Sequence, residues 1–169
     1  MKSITKWMLP AVLSFFLIVV TSPSKVQAQP GNDVPVETFY DELAPYGQWI
    51  SDPQYGYVWS PYVDPGFRPY YSEGYWAMTE YGNTWVSNYP WGWAAFHYGR
   101  WTYDNYYGWL WIPDSVWAPS WVCWRHGSGY YGWAPLGPGL NIEISFGPRY
   151  NCPDDWWIFI PPQYIYYTG

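Results

Sequence analysis

Short runs of aromatic and β-branched residues alternate along most of the chain with loops rich in Asp, Asn, Pro and Gly. Within the runs, the same type of side chain recurs at every second position. Trp109 and Trp111, for example, are expected on one side of a strand, with Leu110 and Ile112 on the other. A period of two with this composition predicts β-strands. No stretch beyond the N-terminal segment has a sustained helical period, so the predicted fold class is all-β.

An internal repeat organises these strands. Residues 46–61 and 98–113 match at eight of 16 positions without a gap, at an offset of 52. A weaker middle copy lies halfway between them, so that several marks recur every 26 residues. These marks are Trp49, Tyr75 and Trp101; Tyr55-Gly56, Tyr81-Gly82 and Tyr107-Gly108; and Trp59, Trp85 and Trp111.

Each copy has the pattern of a β-hairpin, with an aromatic strand, a loop that opens on a polar residue and closes on Gly, and a second aromatic strand. A contracted fourth copy is expected at 124–135 and a further strand at 140–146. The chain should therefore form an antiparallel meander of about four hairpins, or eight to nine short strands, curled into a barrel-like or sandwich-like sheet. Aliphatic residues are scarce, so the core is predicted to consist of the recurring aromatics Trp49, Trp59, Tyr75, Trp85, Trp101 and Trp111.

The N-terminal segment has the features of a secretory signal peptide. Lys2 and Lys6 precede an apolar run over 7–20, and small residues at the −3 and −1 positions predict cleavage after Ala28. The apolar run is too short for a membrane-spanning helix, and no later segment is long and apolar enough. We therefore expect export to the periplasm or the cell surface, with no transmembrane segment after cleavage.

The remaining chain divides into three parts. Residues 29–38 are a polar, flexible lead-in, 39–146 the repeat domain, and 147–169 a Pro-rich tail that packs on its surface and is not expected to extend the sheet. A short helical turn over 36–43 would end at Pro45. Within the tail, 154–160 is compatible with a turn and an edge strand, or with a single helical turn.

Charge narrows the range of partners. The mature chain retains four arginines and no lysine against 13 acidic residues, a formal net charge of −9. Such a charge argues against nucleic-acid binding and against docking on an anionic membrane. Aromatic residues make up 25% of the full chain, about twice the share of charged residues, which is 12%.

Catalytic and metal-binding patterns are not evident. Cys123 and His126 are three residues apart, which places them on opposite faces of a strand and disfavours a thiol–imidazole pair. His97 and His126 with Asp154 and Asp155 lack metal-ligand spacing. The sequence therefore predicts neither an enzyme nor a cofactor or metal site.

The two cysteines, Cys123 and Cys152, allow two interpretations. In an exported chain they can form a disulfide that ties the tail to the fourth hairpin. They can equally remain buried thiols that fill apolar space.

Aromatic residues outside the repeat register are the candidates for binding. A domain of this size cannot bury all of them, and exposed rings beside hydrogen-bonding groups bind sugar faces or extended, Pro-rich peptides. The alternative is that they cover the second face of the sheet. The candidate ligand-binding residues are Trp91, Trp93, Arg100, Tyr103, Tyr106, Trp117, Trp121 and Arg125.

Three segments carry a resemblance: PYGQWISDPQYGYVWSP, YPWGWAAFHYGRWTYDNYYGWLWIPDSVWAPSWVCWR and GYYGWAPLGPG. They resemble an uncharacterised family of exported Trp/Tyr/Pro-rich proteins of Gram-negative bacteria, over residues 39–159. The resemblance implies export and a compact repeat domain. It implies no catalytic residues, because the family has no assigned activity.

Three functions fit the sequence. The first is a non-catalytic structural or binding module of the cell envelope, which recognises an envelope polymer or protein through exposed Trp and Tyr. The second is a carbohydrate-binding protein for cell-wall or other polysaccharides. The third, an outer-membrane-associated β protein, is disfavoured because the strands are short, interrupted by Pro and Gly, and lack lipid-facing aliphatic rows.

Overall fold

A computed structural model of the protein describes residues 34–139 and 152–165. These ranges contain two helices, α1 (Val36–Leu43) and α2 (Gly92–Ala95), and are otherwise rich in short antiparallel strands. The strands are β1 (Gly47–Asp52), β2 (Gly56–Pro61), β3 (Gly74–Thr79), β4 (Gly82–Ser87), β5 (Arg100–Asp104), β6 (Gly108–Ile112), β7 (Val122–Gly127), β8 (Tyr130–Pro135) and β9 (Ile158–Ile160). The predicted all-β class, its four hairpins and its aromatic core are confirmed, and α1 is the helical turn expected at 36–43.

The loops of hairpins β1–β2 and β5–β6 explain why the repeat preserves Asp and Gly. In each loop the opening Asp, Asp52 or Asp104, accepts hydrogen bonds from the backbone N–H groups two and three residues further on, at 2.7–2.9 Å. The closing glycines, Gly56 and Gly108, have φ values of +78° and +77°. L-residues other than Gly rarely adopt this conformation, so each loop needs its Gly.

The hairpins do not follow one another in a single meander. Hairpin β1–β2 joins hairpin β5–β6 through a β2–β6 pairing, which gives a four-stranded sheet of order β1-β2-β6-β5. Hairpin β3–β4 forms its own sheet, and β7, β8 and β9 form a third. The result is a sandwich-like arrangement of three antiparallel sheets around one core. The strand predicted at 140–146 lies outside the described residues.

The second hairpin is out of register with the other two by one residue. Its loop has two residues between Thr79 and Gly82, whereas the β1–β2 loop has three between Asp52 and Gly56. A shift of one residue turns every side chain of a strand to the opposite face. Trp76 therefore faces Trp85 and is buried, and Tyr75, the predicted core residue, is only half-buried.

Four of the six predicted core aromatics are almost fully buried: Trp59, Trp85, Trp101 and Trp111. Trp49 is half-buried because it lies on the edge strand β1, where Tyr40 of α1 covers it at a ring-centroid distance of 4.4 Å. The core also contains aromatic and aliphatic residues of the connectors and of α1, so the repeat aromatics account for part of it.

A Gly-x-Trp motif begins at the first residue of β1 and of β3, and one residue before β5. Each of these glycines lies against the indole of the second strand, where an added Cβ would come within 2.8 Å of the ring. The motif therefore lets the two strands approach across a large side chain. The glycines are Gly47, Gly74 and Gly99, against Trp59, Trp85 and Trp111 respectively.

The tail extends a sheet, contrary to the expectation that it only wraps the surface. A 3₁₀ turn at Asp154–Trp156 leads into β9, which pairs antiparallel with β8 so that Ile158 lies opposite Trp133. The turn and edge strand expected within 154–160 are both present. Ile158 and Trp157 are buried, so this pairing is stabilised by apolar contact as well as by backbone hydrogen bonds.

Candidate functional site

Three of the predicted ligand-binding residues are buried and cannot form a binding surface. Trp91 is 2% exposed, with its ring 5.1 Å from that of Trp59 and 5.5 Å from that of Phe96. Arg100 and Trp121 are also buried, and the Arg100 guanidinium lies 3.4 Å above the Trp121 ring. This cation–π contact compensates for burial of the charge, so the pair is structural.

Three further candidates are occupied by intramolecular contacts. Trp93 is half-buried and packs against Phe39. Trp117, also half-buried, stacks on the imidazole of His97 at 5.7 Å with an interplanar angle of 9°. The exposed Arg125 places its guanidinium 3.9 Å from the Trp157 ring, which helps to hold the tail. In these contacts Trp93 and Trp117, which lie outside the repeat register, pack on other parts of the protein, as the alternative to ligand binding predicts.

Tyr103 and Tyr106 are exposed, at 50% and 86%. Tyr106 lies in the β5–β6 loop, and its ring contacts that of Tyr107. Tyr103 borders an open hollow of about 490 Å³, here called the Tyr103 groove. The predicted candidates therefore do not converge on one site, and Tyr103 alone among them lines this hollow.

The Tyr103 groove is formed by three segments that are distant in the sequence. They are the connector between β2 and β3, the β5–β6 hairpin, and the turn that precedes β9. Its lining residues are Pro61, Val63, Asp64, Pro65, Gly66, Phe67, Arg68, Tyr103, Tyr107, Gly108, Trp109, Asp155 and Trp156.

Aromatic rings form one side of the groove. The ring centroids of Tyr103 and Trp109 lie 5.5 Å apart, and those of Trp109 and Trp156 lie 4.9 Å apart. Tyr103 and Tyr107 are exposed, Trp156 is half-buried and Trp109 is 9% exposed. The ring planes meet at angles of 57–76°, so Tyr103 and Trp156 each pack against Trp109.

Charged groups lie at the same groove. The carboxyl groups of Asp64 and Asp155 belong to lining residues from opposite segments. Arg68 donates from Nη2 to the backbone carbonyl oxygens of Asp155, at 2.5 Å, and of Trp157, at 3.4 Å. This side chain therefore connects the β2–β3 connector to the tail and sets the width of the groove between them.

A second hollow of about 670 Å³, the Tyr89 hollow, adjoins the same connector. It shares Pro61, Val63 and Asp64 with the Tyr103 groove, and Glu73 also lines it. Burial, followed by the carboxylates of Glu73 and Asp64, raises the pKa of the Tyr89 phenol. Acidic and aromatic side chains therefore line both hollows.

Sequence reasoning missed most of the groove. Residues 64–67 lie between the first two hairpins and carry none of the repeat marks. Their turn is closed by a hydrogen bond from Phe67 N to Asp64 O and by Gly66 at φ +96°, and it brings Asp64 to the lining of the hollow, while Phe67 packs on the core. The signal available in the sequence was an Asp followed by Pro-Gly-aromatic between two hairpins. The contribution of Asp155 and Trp156 carries no comparable signal, because the tail lies outside the repeat.

Metal-binding clusters and membrane-spanning helices are the two other features considered for the described ranges. Residues 34–139 and 152–165 contain no group of three or more His, Cys, Asp or Glu side chains that could hold a metal ion. In the same ranges, no helix is long and apolar enough to cross a membrane. Cys123 is buried and His126 is exposed on the same strand.

A protein-family model described as "Family of unknown function (DUF6600)" matches residues 40–140, which is more than half of the chain, and the protein belongs to this family. The match covers all four hairpins and ends before the tail. No curated protein and no solved structure shows significant similarity to the chain.

Proposed function

We propose that this member of the DUF6600 family is an exported, non-catalytic binding module of the cell envelope, and that the Tyr103 groove is its ligand site. The observation that carries the proposal is the convergence of exposed aromatic rings and carboxylates from three chain segments on one groove. Ligand sites of this kind combine an apolar wall with a few polar groups that fix the orientation of the ligand.

The ligand best suited to this groove is a neutral, hydroxyl-rich polymer, namely a glycan chain. The rings of Tyr103 and Trp156 line the groove and supply apolar surface on which the C–H groups of a sugar ring can pack. Ionised carboxylates only accept hydrogen bonds, and sugar hydroxyls supply the donors they need. Asp64 lines both hollows, so a chain that occupies the two of them can use the same acceptor.

Charge supports a neutral ligand over an acidic one. The full chain has a formal net charge of −6, and acidic residues line both hollows. The Arg68 guanidinium keeps its positive charge, but the two carboxyl groups of Asp64 and Asp155 outnumber it in the Tyr103 groove. A polyanionic polymer would therefore meet repulsion at this surface.

Export rests on the sequence of residues 1–28, which has the charge, apolar length and small residues of a signal peptide. The absence of a catalytic role is proposed because neither the motifs of the sequence nor the lining of the Tyr103 groove combines a nucleophile with an adjacent base.

The test is a calorimetric titration of the mature protein with neutral and polyanionic polysaccharide fragments. Tyr103→Ala and Trp156→Ala should each weaken binding of a neutral fragment about tenfold or more, because each removes a ring from the groove. Tyr130→Ala is the matched control, since Tyr130 is 49% exposed but lies outside the groove. Unchanged affinity in both groove variants, or binding of Pro-rich peptides alone, would contradict the proposal.

A further inference from the structure

Two cysteine thiols meet between the fourth hairpin and the tail. Cys123, on β7, is 1% exposed, and Cys152, at the start of the second described range, is 3% exposed. They are 29 positions apart in the sequence, yet the two side chains interact, since a hydrogen bond with Cys152 raises the pKa of the Cys123 thiol. Both side chains are present as thiols in the structure.

Both thiols contact the end of β8. Cys123 Sγ donates to the carbonyl oxygen of Ala134 at 3.5 Å, and Cys152 Sγ donates to that of Pro135, the next residue of β8, at 3.3 Å. The two cysteines therefore lie against adjacent residues of one strand. A disulfide requires the sulfur atoms to approach to about 2.05 Å.

We propose that Cys123 and Cys152 form an intramolecular disulfide, which fixes residues 152–165 against β8 and holds the tail wall of the Tyr103 groove. The tail wall is Asp155 and Trp156, three and four residues beyond Cys152. The disulfide itself is independent of the proposed ligand. Only its consequence for binding rests on the proposed function.

The reaction is thiol–disulfide exchange with an external disulfide, either a small molecule or a protein dithiol oxidant. One cysteine thiolate attacks the external disulfide, forms a mixed disulfide and releases one thiolate of the oxidant. The second cysteine thiolate then attacks the cysteine sulfur of the mixed disulfide and releases the remaining thiolate of the oxidant. Two electrons pass to the oxidant, and the two protons from the cysteines are taken up by the released thiolates or by solvent.

Burial determines when this exchange can occur. The hydrogen bond to Cys152 and burial both raise the pKa of the Cys123 thiol, which disfavours the reactive thiolate in the folded protein. Oxidation should therefore occur during folding, or when the tail opens. Once formed, the disulfide is shielded from reductants by the same packing.

The first experiment measures the bond directly. The full mature chain is reduced, unfolded, refolded in a mixture of reduced and oxidised glutathione, and alkylated in denaturant. The intact mass should lack both alkyl groups and be two hydrogens lighter than the dithiol. Alkylation of both cysteines after equilibration would overturn the proposal.

The second experiment separates the disulfide from the thiols. Relative to its reduced form, the oxidised wild-type protein should melt roughly 10 °C higher, because the bond closes a loop of about 30 residues in the unfolded chain. Cys123→Ala, Cys152→Ala and the double variant should show no difference in Tm between oxidising and reducing buffer. An equal redox-dependent difference in a variant would overturn the proposal.

The tail wall has its own readout, which needs no ligand. Backbone amides of β9 should exchange with deuterium more slowly in the oxidised protein than in the reduced one, whereas amides of β2 and β6 should not change. Equal exchange of β9 in the two forms would overturn the claim that the bond fixes the tail. Failure of glycan binding would leave this result untouched and would count against the proposed function alone.

Discussion

Trp59 and Trp111 lie directly opposite each other across the β2–β6 pairing, with ring centroids 6.4 Å apart and ring planes at 88°. They occupy equivalent positions in the first and third copies of the repeat, 52 residues apart. The contact thus joins two like hairpins through the same residue of each, as a two-fold axis joins like subunits. Each indole also donates a hydrogen bond to a backbone carbonyl oxygen, of Leu43 and Tyr98 respectively.

Because of this position, Trp111→Ala should be among the most damaging substitutions. It removes a fully buried ring and leaves a cavity between the two hairpins, and we expect the free energy of unfolding to fall by about 3–5 kcal/mol. Urea denaturation measures the change. Tyr106→Ala, at an 86% exposed position, should stay within about 0.5 kcal/mol of wild type. Equal midpoints for the two variants would contradict the assignment of Trp111 to the core.

Gly74→Ala tests the register of the second hairpin. An added Cβ would lie 2.5 Å from the Trp85 ring and 2.6 Å from Val86 O, and we expect a loss of about 3 kcal/mol. Gly82→Ala is the control. Gly82 has φ +90° but no atom within 4 Å of the added Cβ, so strain alone should cost about 1 kcal/mol. A larger loss at Gly82 than at Gly74 would show that β3 and β4 do not pair as described.

Tyr70→Phe should destabilise the junction between the sheets. The buried Tyr70 hydroxyl donates to Phe96 O and accepts from Trp121 N, both at 3.1 Å, and burial raises the pKa of this phenol so that it remains a donor. Its loss leaves two buried backbone groups unpaired, and we expect a cost of about 2–3 kcal/mol in thermal or urea denaturation. Tyr71→Phe, at the exposed neighbouring position, is the matched control and should have little effect. Similar stability of both variants would contradict this role.

His97 should make stability depend on pH. Burial lowers the pKa of its imidazole, although the hydrogen bond with Ala118 O acts in the opposite direction. The folded state therefore binds its proton less readily than the unfolded state, whose His pKa is about 6.5. Above about pH 6.5, protonation of His97 therefore does not lower the free energy of unfolding. Below that pH, the free energy of unfolding falls by up to about 1.4 kcal/mol per pH unit.

The measurement is the Tm at pH 7.5 and at pH 5.5. Wild type should lose Tm on acidification, and His97→Gln should lose less of it. His126→Gln replaces an exposed imidazole on β7 and should keep the wild-type dependence, because the buried imidazole remains. An identical loss of Tm in His97→Gln and wild type would rule out His97 as the cause.

Much of the fold can be predicted from the sequence because its local signals are strong. The recurrence of Asp and Gly at the loops, and of Trp on the strands, predicts the hairpins and four of their core rings. The one-residue error at Tyr75 came from aligning the copies on a constant step, although the second loop is one residue shorter. The Gly-x-Trp motif at Gly74 and Trp76 would have corrected it, since a Gly is needed where two strands close on an indole.

Association between hairpins and burial of off-register rings could not be predicted in the same way. The pairing of β2 with β6 depends on contacts across 52 residues, and no local signal indicates that hairpin β3–β4 leaves the sheet. Arg100 and Trp121 illustrate the same limit. Each appears suited to a surface, but together they form a buried cation–π pair. The Tyr103 groove likewise exists only after the tail has packed against the connector.

Chemical-shift mapping of the indole N–H groups during titration with a neutral glycan fragment tests the proposed site most directly. The proposal predicts shifts at the Trp109 and Trp156 resonances, which line the Tyr103 groove, and unchanged resonances for Trp59 and Trp111 in the core. Shifts confined to Trp117, with Trp109 and Trp156 unmoved at saturation, would contradict it.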